Sequence, residues 1–327
     1  MKVYHSLDEV PADFGPSALT IGNFDGVHFG HRRILRRLVT LAREHGWKPS
    51  VLTFDPHPAC VVAPDRAPVL MTSVERRAEL MREEDIEQVL ILPFNRDLAN
   101  LTPEQFVQQL LVDRLDVKAV LVGDNFRFGH KQAGNIQVLA ELGRRLGFET
   151  EIVTAVRCRG RVVSSSGIRQ SIAAGRVSLA ARLLEHPYGL EGNVVSGRGV
   201  GSRETVPTLN LATTGELIPA RGVYVTRTRD LDSDREWDSI TNIGYRPTFG
   251  ASDQLSIETF LLSPLTGDTP RRIRVDFLLR VRDERRFDSP DALKAQIFKD
   301  VRAAQAYFRR LRAWTSPGRP VAPVQAT

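Results

Sequence analysis

The first 184 residues alternate short apolar segments of strand type with amphipathic segments of helical type. The strand-like segments are residues 18–21, 50–54, 89–92, 119–122 and 150–156. Apolar residues recur at helical spacing in residues 33–44, 74–83, 103–115 and 136–146. Strands that alternate with helices pair in parallel, because each right-handed crossover returns the chain to the same end of the sheet. This half therefore predicts a doubly wound, Rossmann-like α/β sheet with ligands at the carboxyl ends of its strands.

After residue 186 the pattern changes to strands separated by glycine and proline. Residues 222–226, 256–262 and 273–279 are the clearest strands, and their alternation favours an antiparallel β-barrel. A long C-terminal helix follows, with Ser289 as N-cap and Pro290 in its first turn. Its apolar stripe, which predicts core packing, consists of Leu293, Ile297, Val301, Ala304, Phe308 and Leu311.

The length of 327 residues is sufficient for two domains with separate cores. The change of pattern places them at residues 1–186 and 187–315, and a proline-rich stretch predicts a disordered tail at residues 316–327. The net charge of +6 suits nucleotides but is small for a dedicated nucleic-acid binder. Cys60 and Cys158 form no metal-ligand or disulfide pattern, and no run approaches the ~20 apolar residues that span a bilayer. We therefore expect a cytoplasmic protein.

Residues 22–31 lie where the first strand passes into the first helix. The turn reads Gly22-Asn23-Phe24-Asp25-Gly26-Val27-His28-Phe29-Gly30-His31. Free backbone N–H groups and the positive end of the helix dipole favour an anion at such a turn. Gly26 and Gly30 allow the backbone to approach a ligand closely, while His28 and His31 add hydrogen-bond donors. The turn therefore predicts a phosphate site.

Three further motifs lie at or after strand ends. Ser164, Ser165, Ser166 and Arg169 open a short helix after the fifth strand, and we expect its amino end to face the first turn across the sheet crevice. His57 follows the second strand, and Asn125 and Arg127 follow the fourth. Asp25 and His57 fit nucleotide binding and a purely structural role equally well.

In their order along the chain, these motifs resemble those of the bacterial bifunctional riboflavin kinase/FMN adenylyltransferase family, also called FAD synthetase. The resemblance covers nearly the whole chain. Its first half rests on residues 22–31, 53–58, 123–129 and 164–169. Its second half rests on Pro207-Thr208-Leu209-Asn210-Leu211, Gly222-Val223-Tyr224, residues 242–249 and Glu258-Thr259-Phe260-Leu261-Leu262. It implies a nucleotidyltransferase domain followed by a six-stranded riboflavin kinase barrel.

The resemblance implies two reactions with different chemical demands. FMN would be adenylylated to FAD in the first domain, where the attacking phosphate is already anionic and the positive groups of His28, His31 and Arg169 would neutralise charge. Riboflavin would be phosphorylated to FMN in the second, where a ribityl hydroxyl needs a base, for which Glu258 is the candidate. Thr208 and Asn210 would hold Mg²⁺ or another divalent cation. The implied nucleotide- and phosphate-binding residues are Gly22, Phe24, Asp25, Gly26, Gly30, Asn125, Ser164, Ser165, Ser166, Gly197, Gly199, Gly201, Thr208 and Asn210, with His57 and Arg127 as substrate-binding candidates.

The chain departs from the family pattern in the loop before Pro207. The family usually has Gly-Arg-x-Leu-Gly-Phe/Tyr there, whereas this chain has Gly201-Ser202-Arg203-Glu204-Thr205-Val206. An FMN adenylyltransferase with a barrel that binds flavin without turnover is therefore an alternative. A nucleic-acid-binding or regulatory module is a remote one, because no aromatic stacking platform is interleaved with basic residues. We expect riboflavin, FMN and ATP as ligands, and neither nucleic acid nor a membrane as a partner. A transient homo-oligomer is compatible with the sequence.

Overall fold

A computed structural model describes residues 1–158, 160–195, 208–213, 216–246 and 254–315. By its internal contacts the chain divides into two units. The first comprises residues 1–168 and 183–185, and the second comprises residues 169–182 and the described residues from 186 onward. The predicted boundary at residue 186 stays a prediction. The predicted tail at residues 316–327 lies outside the described residues.

The first unit contains a six-stranded sheet in which every pair of neighbours is parallel. Its strands are β1 (Lys2–Tyr4), β2 (Ser17–Ile21), β3 (Lys48–Asp55), β4 (Gln88–Pro93), β5 (Val117–Gly123) and β6 (Glu149–Val153). The order β1-β4-β3-β2-β5-β6 confirms the predicted doubly wound fold. Only β1 was missed, because three residues are too few to show a period.

The strand order reverses between β2 and β5, which are neighbours in the sheet. Chain segments that leave the carboxyl ends of β2 and β5 therefore emerge side by side. In open α/β sheets this switch point is where ligands bind. The predicted phosphate turn at residues 22–31 and the loop at residues 123–129 are those two segments.

Helices cover the sheet and leave its strand ends accessible. They are α1 (Phe29–His45), α2 (Pro58–Val62), α3 (Val74–Arg82), α4 (Arg96–Asn100), α5 (Pro103–Gln105) and α6 (Ile136–Leu146), with short 3-10 turns at Pro64–Arg66 and His130–Gln132. Helix α1 buries Leu35, Leu38 and Ala42, as its spacing predicts, and ends at Gly46 in the left-handed conformation.

Two predicted elements of this unit differ from the structure. The single helix expected at residues 103–115 is a short capped helix, α5, followed by wide π-type turns over Phe106–Val112, which bury Phe106 and Leu110 together. The strand expected at residues 150–156 ends at Val153. A small hairpin of β7 (Arg157–Cys158) and β8 (Arg161–Val162) follows. Helices α7 (Ser165–Ala173) and α8 (Val177–Leu184) come next, and most of their residues belong to the second unit.

The second unit contains a closed antiparallel barrel in the order β10-β13-β12-β11-β14-β9, as expected. Its six strands are β9 (Tyr188–Val195), β10 (Thr208–Thr213), β11 (Gly222–Asp230), β12 (Glu236–Arg246), β13 (Gln254–Leu261) and β14 (Arg272–Asp283). A row of buried hydroxyl groups crosses β11, β12 and β13, with oxygen–oxygen distances of 2.8–2.9 Å. The row consists of Thr228, Ser239, Thr226, Thr241 and Thr259. Closure removes the exposed edges of the sheet.

Helix α9 (Pro290–Thr315) packs on the outside of the barrel. Ala304 and Phe308 are buried against Val223 and Ile240, so the second half of the predicted stripe is core. The expectation that the whole stripe packs in the core is wrong for its first two members, since Leu293 and Ile297 are each 43% exposed. The first turns of α9 instead form one side of a cavity. Among the described residues, no helix is long and apolar enough to cross a membrane.

Candidate active sites in the two units

The turn that follows β2 is built around left-handed backbone conformations. Gly26 has a φ of 78°, and Phe24 and Val27 also have positive φ values. A Cβ atom on Gly26 would lie 2.9 Å from the Met71 side chain, so glycine is required here for both backbone and packing. The turn brings the chain from the end of β2 directly to the amino end of α1.

Two histidines sit on the first turn of α1. His28 is the N-cap residue, and its Nδ1 accepts the backbone N–H of His31 at 3.3 Å. The two imidazole rings are stacked with centroids 3.6 Å apart, and the Phe24 ring meets His31 edge-on. A Cβ on Gly30 would lie 3.2 Å from the His28 ring, so Gly30 makes room for the stack. The predicted pair is therefore one packed unit at the helix terminus.

The electrostatics of this terminus favour an anion. Within the described chain, the N–H groups of Phe29 and Gly30, the first two residues of α1, donate to no protein acceptor. The first turn carries no acidic residue. Burial lowers the pKa of His31 well below its ordinary value of 6.5, and the His28 ring lowers it further. His31 is thus neutral near pH 7 in the free protein, and its buried Nδ1 atom has no hydrogen-bond partner among the described residues.

Asp25, within the turn, and Arg77, on α3, connect the turn to neighbouring segments. The Asp25 carboxylate accepts the backbone N–H groups of Met71 and Thr72 and the Thr72 hydroxyl at 2.9–3.2 Å. The buried Arg77 guanidinium donates to the Asn23 carbonyl at 2.8 Å. Burial lowers the pKa of Arg77, while Asp25 opposes that change. Asp25 had been considered from sequence, but Arg77 was missed, because an arginine in an amphipathic helix gives no sign that it is buried.

His57 and the segment after β5 complete the surroundings of the turn. His57 caps α2 through Nδ1, and its Nε2 lies 3.0 Å from the Asn23 amide nitrogen. Asn125 and Arg127 are exposed on the loop that follows β5. His57 is thus in contact with the turn, and the other two residues lie on the neighbouring segment of the switch point. Binding of substrate by these three side chains stays a prediction.

The serine motif begins helix α7. The Ser164 hydroxyl accepts the backbone N–H of Gly167 at 3.3 Å, as an N-cap does. Ser165 is half-buried and Ser166 is exposed. Ser164, Ser165 and Ser166 belong to the first unit, whereas Arg169 belongs to the second. The expectation that this helix end faces the histidine turn stays a prediction.

In the barrel, register places three polar residues side by side. On β13, Glu258 pairs with Asn210 of β10 on one side and with Asn242 of β12 on the other. Thr208, two residues before Asn210, lies on the same face of its strand. Sequence analysis had proposed Thr208, Asn210 and Glu258 but not Asn242, whose position opposite Glu258 depends on the pairing of two strands.

A cavity of about 1180 Å³ lies over Glu258 and Asn242 of this row, and Asn210 is not among the residues that line it. Thr208, Asn242 and Glu258 line it from the barrel, and Leu293 and Ile297 line it from α9. It combines apolar walls with a few polar groups, the usual composition of a small-molecule site. The predicted loop glycines Gly197, Gly199 and Gly201, and the altered residues 202–206, lie outside the described residues.

Comparison with known proteins assigns the two halves to two enzyme families. Residues 10–167 match the family model of FAD synthetase, and residues 184–308 match that of riboflavin kinase. The protein belongs to the bifunctional riboflavin kinase/FMN adenylyltransferase family. This confirms the family proposed from the sequence motifs.

Individual members of the family are similar over nearly the whole chain. The bifunctional riboflavin kinase/FMN adenylyltransferase of Escherichia coli K12 is 36% identical over 93% of this chain and 96% of its own length. The enzyme of Pseudomonas fluorescens is 36% identical over 94% of this chain and 97% of its own length. The enzyme of Haemophilus influenzae is 34% identical over 89% of this chain and 94% of its own length. A solved structure from Streptococcus pneumoniae, titled macrolide-efflux protein, is 25% identical with a TM-score of 0.82 over 93% of this chain and 98% of its own.

Proposed function

We propose that the chain catalyses two successive steps of flavin cofactor synthesis. In the second unit, a ribityl hydroxyl of riboflavin attacks the γ-phosphate of ATP, giving FMN and ADP. In the first unit, the FMN phosphate attacks the α-phosphate of a second ATP, giving FAD and pyrophosphate. Because both family models match, two activities are favoured over an adenylyltransferase that carries an inactive barrel.

The histidine turn suits adenylyl transfer because that step needs charge stabilisation and no general base. The FMN phosphate is anionic at neutral pH, so no proton has to leave the nucleophile. The free N–H groups of Phe29 and Gly30 and the positive end of the α1 dipole are oriented toward an anion. His28 and His31 extend this donor set at the same helix end.

The lowered pKa of His31 refines the role predicted for it. In the free chain His31 is neutral, and it contributes as a hydrogen-bond donor rather than as a fixed cation. A bound polyphosphate would raise the pKa of His31, since a nearby anion favours the charged imidazole. Arg169 is proposed to supply a permanent positive charge.

The barrel cavity suits phosphoryl transfer to a hydroxyl group. Glu258 lines the cavity and can accept the hydroxyl proton as the nucleophile attacks. Asn210 and Asn242 flank it on the neighbouring strands. We assign Glu258 the role of general base and its neighbours the role of orienting substrate.

A divalent cation is part of this proposal. Thr208 and Asn210 present neutral oxygen atoms on one face of β10, beside the carboxylate of Glu258 on β13. Such a set fits Mg²⁺, which retains several waters and binds substrate phosphates as well as protein oxygens. When bound, the ion would neutralise the charge of the transferred phosphoryl group. Thr208 and Asn210 would then fix its position relative to the riboflavin hydroxyl.

The observation that carries the proposal is that the histidine turn and the Glu258 cavity lie in different units, each matched by a different family model. The test supplies the purified full chain with riboflavin, ATP and Mg²⁺, or with FMN in place of riboflavin, and separates the flavins by chromatography. The unmodified chain should convert riboflavin to FMN and FAD. Glu258→Gln should abolish riboflavin phosphorylation and still make FAD from supplied FMN.

The reciprocal variants complete the test. His28→Ala and His31→Ala should accumulate FMN from riboflavin and make little FAD. If an unmodified chain leaves riboflavin unchanged yet converts FMN to FAD, the barrel has no kinase turnover and the adenylyltransferase alternative is correct. Omission of Mg²⁺ tests the cation. A cytoplasmic location, the absence of nucleic-acid partners and a transient homo-oligomer stay predictions.

A further inference from the structure

The segment between β14 and α9 forms one wall of the barrel cavity. Residues 284–289 have no regular secondary structure, and none of their backbone N–H groups donates a hydrogen bond within the described chain. All six nevertheless line the cavity, in a continuous stretch that runs from Glu284 to Pro290. The position of this wall therefore depends on side chains.

One anchor of this wall is Asp300, in the first half of α9. Asp300 is only 4% exposed, and its Oδ2 accepts Nε and Nη2 of Arg282 at 3.0 and 2.8 Å. Its Oδ1 accepts the Gln296 side-chain amide at 2.7 Å. Gln296 in turn accepts a hydrogen bond from Arg285. Both carboxylate oxygens are thus used, one toward the barrel and one toward the wall.

The two arginines hold the aromatic part of the wall. The guanidinium carbons of Arg282 and Arg285 lie 5.6 and 4.8 Å from the centroid of the Phe287 ring, within the range of cation–π attraction. Glu284 attaches the start of the segment separately, by accepting the Tyr245 N–H at 3.3 Å. Among the described residues, no hydrogen bond attaches the Phe287 backbone, and the two guanidinium groups contact its ring in the cavity wall.

We propose that Asp300 is a positioning residue for riboflavin phosphorylation: by fixing Arg282 directly and Arg285 through Gln296, it holds Phe287 in the wall of the cavity that contains Glu258. The inference rests on the proposed placement of the kinase site in that cavity. Asp300 also keeps the Arg282 guanidinium at the wall. Without Asp300, this guanidinium would pair with other carboxylates that line the cavity. The wall binds and orients substrate but takes no part in bond making.

The test measures riboflavin KM and kcat for the full-length chain. Asp300→Asn should raise riboflavin KM about tenfold and change kcat by less than about threefold, because binding is lost rather than transition-state stabilisation. Gln296→Ala cuts only the link to Arg285 and should raise KM by about threefold. Glu258→Gln should lower kcat instead. FAD formation from supplied FMN should be unchanged in all three.

A matched control uses a different polar contact between α9 and the barrel. Arg312 donates to Asp238 at 2.7 Å, away from the Glu258 cavity. Asp238→Asn should leave riboflavin KM unchanged. An equal rise of KM in this control would show that any loosening of α9 has the same effect and would overturn the proposal.

A double variant separates positioning from folding. Removal of one partner of a buried ion pair destabilises a protein, whereas replacement of both by apolar residues of similar size often does not. Arg282→Met with Asp300→Leu should therefore regain thermal stability but keep the raised KM. A wild-type riboflavin KM in the double variant would overturn the inference about Asp300 but not the assignment of the kinase site. A wild-type KM in both Asp300→Asn and Gln296→Ala would do the same. Undiminished kinase turnover in Glu258→Gln overturns the site assignment as well.

Discussion

The imidazole rings of His28 and His31 lie face to face, 3.6 Å apart, at the amino end of the helix that follows the first long strand. The His28 Nδ1 atom accepts the His31 N–H, which fixes one ring over the other. Two imidazolium cations at this distance would repel each other, and burial of His31 adds to the cost of charging it. The pair therefore offers hydrogen-bond donors to an anion without carrying two charges beforehand.

This relationship predicts an acid-sensitive component of stability. The pKa of His31 is lower in the folded than in the unfolded chain, so below about pH 6.5 the unfolded state binds more protons. Stability should fall as the pH falls from 7.5 to 5.5. His31→Asn should reduce this dependence, measured as the difference in Tm of the first transition at the two pH values. His45→Asn, at the exposed end of the same helix, is the control, and equal slopes for all three proteins would contradict the assignment.

Arg77 should matter for adenylyl transfer more than for folding. Its guanidinium holds the Asn23 carbonyl of the phosphate turn and is only 2% exposed. Arg77→Met should lower kcat/KM for ATP in FAD formation at least about tenfold, with partial recovery in Arg77→Lys. Riboflavin phosphorylation by the same chain serves as an internal control. Arg76→Met, which removes an ion pair with Glu79, should leave both activities unchanged. Loss of both activities in Arg77→Met would instead indicate global unfolding.

Asp25 should act on stability through its backbone bonds. Its carboxylate accepts two main-chain N–H groups and one hydroxyl of residues 71 and 72. Asp25→Asn keeps one acceptor oxygen but places an amide N–H donor against the N–H and O–H donors of residues 71 and 72. We therefore expect the free energy of unfolding of the first unit, measured in urea, to fall by about 2–3 kcal/mol. The exposed Asp8→Asn is the comparison. A loss below about 0.5 kcal/mol would argue that Asp25 serves substrate instead.

Arg274 should be the most sensitive cation of the barrel. It lies between Glu191 and Asp276, with nitrogen–oxygen distances of 2.6 and 2.7 Å. Burial alone would lower the pKa of Arg274, but the two carboxylates raise it above its ordinary value. Arg274→Met removes the close cationic partner of both carboxylates and should cost about 3–5 kcal/mol. On heating, kinase activity should then be lost before adenylyl transfer.

The matched variant for Arg274 is Arg229→Met. Arg229 is half-exposed, pairs closely with Glu236 at 2.8 Å and lies farther, 3.7 Å, from Asp276. An exposed pair of this kind contributes less than about 1 kcal/mol, so the thermal profile of this variant should match that of the unmodified chain. Equal losses in the two variants would mean that burial does not distinguish these ion pairs.

Local pattern was sufficient for most elements and for the chemical character of the first site. Alternation of strands and helices predicted the parallel sheet. The spacing of His28 and His31 around Gly30 predicted an anion site, and the structure places these two histidines at a helix terminus. Where periodicity failed, the cause was local too. Strand β1 has three residues, and the wide turns over Phe106–Val112 bury side chains out of step with a regular helix.

The amino-acid sequence by itself determined the family and the two fold classes and supplied the candidates for both sites, because strand and helix periods, turn glycines and motif spacings are properties of neighbouring residues. Only the tertiary structure decided that Asn242 stands opposite Glu258, that Arg77 is buried behind the phosphate turn, and that Asp300 holds Arg282 at the cavity wall. These relationships join residues 16 or more positions apart. Strand register, burial and cavity closure set them, and no local period encodes such distances.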